Sequence, residues 1–250
     1  MHCVRTLYFR KVPLSTTLKY ITECQSIIMH GTCCSTKIEF RQYCQNVHAK
    51  QPPVDVKTPK NGILQSIMLR FNLYRKKYRL MLTGYLLYTN TVDNLNYEVF
   101  FKDFNMPDTL FSWFLITELH VWMLMARFMA EGDRGKVVRN NIVEAMWRDV
   151  TVRIDKLGFI AGKVKRRQIM DLSYQFNAAI LGYDEGILSD DKVLAGSLWR
   201  RYFVSQCNNP EHIEKLLIYV RKQMSILDEI PTEELFAKTQ IDWIDLRNVS

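Results

Sequence analysis

One stretch constrains this chain more than any other: Met106 to Gly132, MPDTLFSWFLITELHVWMLMARFMAEG. Pro107-Asp108-Thr109 supplies a helix start, with Asp108 or Thr109 placed to accept from the free N–H groups of the first turn. Gly132 supplies the stop, because glycine takes the left-handed conformation that closes many helices. About 23 residues lie between, or roughly 35 Å of helix, which is long enough to cross a bilayer.

The polar residues of the stretch argue against a crossing. At 100° per residue Thr117, His120, Arg127 and Glu131 fall on one narrow strip. Glu118 points the opposite way, among Phe114, Leu115, Val121, Trp122 and Met125. A carboxylate at the centre of a lipid-facing span costs about 3 kcal/mol, and His120 and Arg127 add to the penalty. The stretch therefore reads as the buried central helix of a helical domain, with Phe114 and Trp122 in its core. Glu118 is expected to be a buried carboxylate paired with an Arg, Tyr or Trp donor from a neighbouring helix. An acid/base or metal role would need a second carboxylate or histidine at ligand spacing, and that face has none.

With 48% hydrophobic residues over 250 positions the chain can wrap such a helix. Ten Gly and seven Pro are too few for an all-β chain of many tight turns. Charge is divided unevenly. Residues 1–92 carry 14 Lys/Arg against 3 Asp/Glu, and residues 93–250 carry 20 against 23. An anionic partner is expected to meet the N-terminal third. Residues 1–50 hold nine Ser/Thr and only Glu23 and Glu39 as acids, the composition of a mitochondrial transit peptide. Gln51-Pro52-Pro53 through Pro59 then reads as an extended linker, and residues 56–240 as one all-helical domain. Five of six cysteines precede residue 45, with no zinc spacing, so neither a disulfide framework nor a cysteine metal site is expected.

From Val56 to Val92 there is no acid, while Lys57, Lys60, Arg70, Arg75, Lys76, Lys77 and Arg79 are present. Leu64, Ile67, Met68 and Phe71 keep helical spacing, as do Tyr74, Tyr78, Met81 and Tyr85; two helices joined near Asn72 fit the pattern. Arg70–Arg79 interleaves aromatics with cations, which suits phosphates and exposed bases. The simpler account is a solvated basic face with the tyrosines turned into the core. A short helix is expected over 96–104 and a longer one over 134–157, with Val143, Trp147, Val150 and Ile154 facing inward and Gly158 closing it. The next, over 163–183, carries Ile169, Leu172, Phe176 and Ile180. Its start places Lys163, Lys165, Arg166 and Arg167 at the positive end of the helix dipole, which hints at an anionic partner, although a surface cluster explains it too. Gly186 is expected to end a helix and Ser189 to cap the one that follows to Phe203. Asn209-Pro210 starts a further helix and Thr232 a last short one, with an irregular tail after Ile241.

Catalytic signatures are missing. Gly158 to Lys163 is one residue short of a phosphate-binding loop, Gly182–Asp191 fails the calcium-loop template, and no zinc-protease or nucleophile-elbow motif occurs. His212 reads as a first-turn surface residue. No cofactor is expected, and no enzyme.

Two stretches, Asn105–Gly132 and Ala178–Arg200 (AAILGYDEGILSDDKVLAGSLWR), closely resemble the ubiquinol–cytochrome c reductase assembly chaperone family, and the resemblance extends over about residues 63–228. It implies an all-α, non-catalytic mitochondrial assembly factor of respiratory complex III. Such a protein works on the matrix side, associated with the inner membrane. It pairs with a smaller assembly factor, sits near the mitochondrial ribosome and binds newly made cytochrome b. Under that resemblance the cations at 70, 75–77 and 79 and at 163 and 165–167 become candidate ribosome contacts. The competing class is a basic RNA-binding helical module of the mitochondrial matrix.

Overall fold

A computed structural model describes residues 62–158, 160–204, 209–237 and 239–249. The transit-peptide segment, the linker, all six cysteines and the side chains of Leu64, Ile67, Met68 and Phe71 lie outside the described residues. The described chain is a single helical domain without a strand. Its eight helices are α1 (Gly62–Asn94), α2 (Tyr97–Asp103), α3 (Leu110–Met129), α4 (Gly132–Lys156), α5 (Gly162–Leu188), α6 (Asp191–Tyr202), α7 (Pro210–Glu229) and α8 (Thr232–Ala237).

Helix α3 is the centre. Thr109 caps it by accepting from the Ser112 N–H at 3.2 Å, and every residue from Ser112 to Met125 is buried. Gly132, at a φ of +57°, turns the chain into α4. The polar strip meets α2, α7 and the tail. Thr117 shares a 3.0 Å hydrogen bond with the Tyr97 hydroxyl. Arg127 donates to the carbonyls of Leu227 and Ile230 at 2.9 and 2.8 Å, so it closes the end of α7 while pairing with Glu131. The expected core residues converge on the other faces: Trp147 lies 5.8 Å from Phe114 and 5.7 Å from Phe176 between ring centres, and Trp122 lies 5.0 Å from Tyr183. No helix among the described residues is long and apolar enough to cross a membrane.

Several expectations are corrected. Residues 62–94 form one helix, not two joined at Asn72, because a single asparagine costs a helix only about 0.5 kcal/mol. Tyr74, Tyr78 and Tyr85 are not in the core; they are 71%, 61% and 50% exposed. The inward line of α1 runs instead through Leu80, Gly84 and Leu87. At Gly84 a Cβ would come within 2.6 Å of the Val138 carbonyl oxygen, so only glycine lets α1 and α4 cross this closely. Helix α5 does not end at Gly186 but runs to Leu188, with Gly186 buried against Leu194 of α6. The cap of α6 is Asp190, whose carboxylate accepts from the Val193 N–H at 3.1 Å, rather than Ser189. The tail after Ile241 is irregular apart from one 3-10 turn, Leu246–Asn248, yet Ile241, Leu246 and Val249 are buried.

Candidate functional site

Inside the domain, Glu118 is fully buried and receives Arg201 of α6 through two bonds, Nε to Oε1 at 2.7 Å and Nη2 to Oε2 at 2.5 Å. The Tyr183 hydroxyl stands 3.5 Å from Oε1, and Arg201 also donates to Gln175 at 2.9 Å. Burial pushes the Glu118 carboxyl up, and the two Arg201 bonds oppose it. With both of its oxygens occupied, the pair ties α3 to α5 and α6 and leaves no atom for chemistry. On the opposite side the Ile116 carbonyl accepts from His120 Nδ1 at 2.7 Å, which leaves Nε2 to accept from the Tyr219 hydroxyl at 2.6 Å. Burial pulls this histidine down to about 4, so it is neutral at physiological pH. Among the described residues no group of His, Cys, Asp or Glu could hold a metal.

The surface features are of two kinds. The first is an apolar groove of about 560 Å³ where the α2–α3 turn meets the end of α6 and the start of α7. Phe104, Met106, Pro107, Phe111, Leu115, Phe203 and Val204 line it, with His212 at one end. His212 is not a free surface residue, since its ring packs 5.8 Å from Phe104 and 6.3 Å from Phe203. Phe111 and Val204 are 40% and 62% exposed. Both rims carry unusual backbone: Asn105 at a φ of +50° and Val204 at +49°. For a β-branched valine that conformation is strained by about 1 kcal/mol or more, and strain of this kind gathers at functional positions. Nothing in the sequence marks this groove, since its lining comes from three separate segments and reads in each as ordinary core.

The second feature is the first half of α1. Arg70 and every residue from Asn72 to Arg79 are exposed. Tyr74, Tyr78 and Tyr85 share one face; Lys77 and Arg70 border it on one side, Arg75 and Arg79 on the other. Arg75, Lys76 and Arg79 also line a recess against Arg134 and Phe236, whereas Lys77 does not. The second cationic cluster is not gathered into one site. Lys165 pairs with Asp155, Arg167 reaches Asp171 at 3.9 Å, and Lys163 and Arg166 are exposed. Intramolecular carboxylates thus satisfy half of it.

Against known proteins, a family described as "Ubiquinol-cytochrome C chaperone" matches residues 102–243. The chain is 46% identical over 202 residues to ubiquinol-cytochrome c reductase complex assembly factor 1 of Drosophila melanogaster, covering 79% of this chain and 78% of that one. The Homo sapiens protein of the same name is 41% identical over 181 residues, 72% of this chain and 60% of that one. Protein CBP3, mitochondrial, of Saccharomyces cerevisiae is 30% identical over 55% of this chain and 42% of its own. In fold, the chain is similar to the crystal structure of the Cbp3 homolog from Brucella abortus, with a TM-score of 0.61 over 74% of this chain and 99% of that one, at 22% identity.

Proposed function

Because this chain belongs to the ubiquinol–cytochrome c chaperone family, a family of assembly chaperones and not of enzymes, we propose that it is a mitochondrial assembly factor of ubiquinol–cytochrome c reductase, respiratory complex III. Its work is to hold an apolar client until partner subunits arrive. The client is newly made cytochrome b, met at the matrix face of the inner membrane close to the mitochondrial ribosome, and a small second assembly factor completes the chaperone. Residues 1 to about 50 serve as the transit peptide and linker, and residues 56–240 as the working domain.

The observation that carries this reading is the apolar groove with Phe111 and Val204 exposed on its walls. A membrane helix leaving the ribosome exposes apolar side chains that must be kept from aggregating. Each Å² of apolar surface buried here would contribute about 25 cal/mol before the ordering costs of association. The cations Arg70, Arg75, Lys76, Lys77 and Arg79, with Lys163, Lys165, Arg166 and Arg167 as a second cluster, would steer the encounter with polyanions such as the ribosome.

A photo-crosslinking residue at position 111 or 204 tests the groove in mitochondria making cytochrome b, with exposed position 226, about 21 Å along α7 from His212, as control. Crosslinks to cytochrome b from 111 and 204 but not 226 are expected. With the crosslinker moved to position 106 on the same lining, Phe111→Ser/Val204→Ser should lower both crosslinking and complex III content, while changing stability by less than about 1 kcal/mol. Normal complex III content with undiminished crosslinking in that variant would overturn the groove as the client site. Salt-sensitive RNA binding without any crosslink to cytochrome b would support the RNA-binding module instead.

A further inference from the structure

We infer that the recess between α1, α4 and α8 holds the phosphate headgroup of an anionic phospholipid, with the exposed half of α1 lying on the lipid surface beside it. The recess measures about 540 Å³. Arg75, Lys76 and Arg79 reach it from α1, and Arg134 from α4. Arg134 is already committed: it donates to Glu233 at 3.1 Å and stacks 4.1 Å above the Phe236 ring. The three α1 cations have no ion-pair partner among the described residues. One carboxylate therefore faces four cations in a single concavity, which leaves a surplus of positive charge that a phosphate would neutralise.

The apolar part of the site selects among phosphates. Leu80 and Phe236 form the apolar side of the recess. Tyr74, Tyr78, Leu82 and Tyr85 are exposed on one arc of α1, bordered by Arg75 and Arg79 of the recess. An RNA backbone has nothing to bury against Leu82, whereas a lipid offers a phosphate for the cations and acyl chain for the leucine. Tyrosine is suited to the same boundary, with an apolar ring and a polar tip. Cations flanking an apolar and aromatic ridge are the pattern of a helix lying in the plane of a membrane interface. This inference rests on the inner-membrane association proposed above and names the groups that produce it.

The test is co-flotation of the full chain with phosphatidylcholine vesicles, with and without phosphatidylglycerol. Wild-type protein should float with the anionic vesicles only, and added salt should weaken the association. Arg75→Gln/Lys76→Gln/Arg79→Gln should lower partitioning by about 100-fold, since each cation near an anionic surface contributes severalfold. All three side chains are exposed, so its thermal melt should match wild type. Arg148→Gln/Lys156→Gln/Lys192→Gln removes the same charge elsewhere on the surface and should float as wild type does.

Wild-type protein that ignores anionic vesicles would remove the membrane association itself. Undiminished flotation of the folded α1 variant would leave that association standing and overturn the recess. A melt raised by inorganic pyrophosphate in protein that does not float would make the ligand a soluble phosphate. Displacement from vesicles by an RNA oligonucleotide at equal phosphate concentration would assign the arm to nucleic acid. Any of these results would refute the lipid assignment.

Discussion

Replacing Arg201 by methionine isolates the energetics of the buried pair at the centre of the domain. Glu118 is fully buried and the Arg201 side chain is 11% exposed, so water can replace little of what the guanidinium supplies. The substitution removes both short bonds and leaves the carboxylate with the Tyr183 hydroxyl at 3.5 Å. Stranding one member of a buried pair costs about 3–5 kcal/mol, against a total of about 5–15 kcal/mol for an ordinary domain. The carboxylate has one escape, which is to take up a proton. Burial already pushes it up, and Arg201 would no longer oppose that. Its folded pKa then stands above the unfolded one, so the folded state keeps the proton over a window in which the unfolded state has lost it. Stability of the variant is therefore retained at acid pH and lost as pH rises through that window. Urea titrations of Arg201→Met should show a deficit that is small near about pH 5 and approaches its full value near about pH 8. Adding Glu118→Leu removes the stranded charge and should bring stability back to within about 1 kcal/mol of wild type. A single-variant deficit below about 1 kcal/mol, independent of pH and not rescued by the second change, would mean that Glu118 is hydrated and the pair holds nothing together.

Two further outcomes follow from the same core. Trp122→Ala should cost about 3–5 kcal/mol in a urea titration, because it empties a site that is 1% exposed and removes the 2.8 Å bond from Nε1 to Asp184; a loss below about 1 kcal/mol would show that this face is not packed. His120 is held down to about 4 against an unfolded value of 6.5, so below 6.5 the unfolded chain binds the extra proton and stability falls as pH drops toward 4, by at most about 3 kcal/mol. His120→Gln should remove that acid sensitivity, and an unchanged slope of stability against pH would refute the assignment.

Helix α3 was legible in the sequence because everything about it is local: a capping residue at Asp108 or Thr109, a long apolar run and a glycine stop. The presence of a partner for Glu118 was legible too, from the cost of leaving a carboxylate among Phe114 and Trp122. Its identity was not, since Arg201 lies 83 residues away and nothing local distinguishes it from Arg200. Periodicity also misassigned α1. Tyr74, Tyr78 and Tyr85 keep helical spacing, but spacing reports only that residues share a face, not whether another helix covers it. The covered face is set by Gly84, whose meaning depends on the Val138 carbonyl of α4. The sequence points to Ser189 as the cap of α6, and the backbone puts Asp190 there instead, one residue later. The apolar groove was beyond reach because three segments assemble it, and the strain at Val204 is a property of backbone angles alone.

The tail beyond Ile241 has a consequence for how the domain moves. Gln223 of α7 receives the Ile244 N–H at 2.9 Å on its oxygen and offers its amide nitrogen to the Asp242 carbonyl at 3.4 Å, so one side chain does for the tail what a neighbouring strand would do. Trp243 is held edge-on to the His120 ring, 4.6 Å away between ring centres. The tail is therefore a strap over His120, fastened in its middle by the Gln223 amide and at its end by Lys222, which donates to the Val249 carbonyl at 2.7 Å. When it lifts, His120 and its tyrosine partner meet water together, and no helix need unwind for that to happen. Deuterium should accordingly reach the Ile244 amide in step with a local peeling of the strap, well before it reaches the amides of α3, whose release requires the whole domain to open.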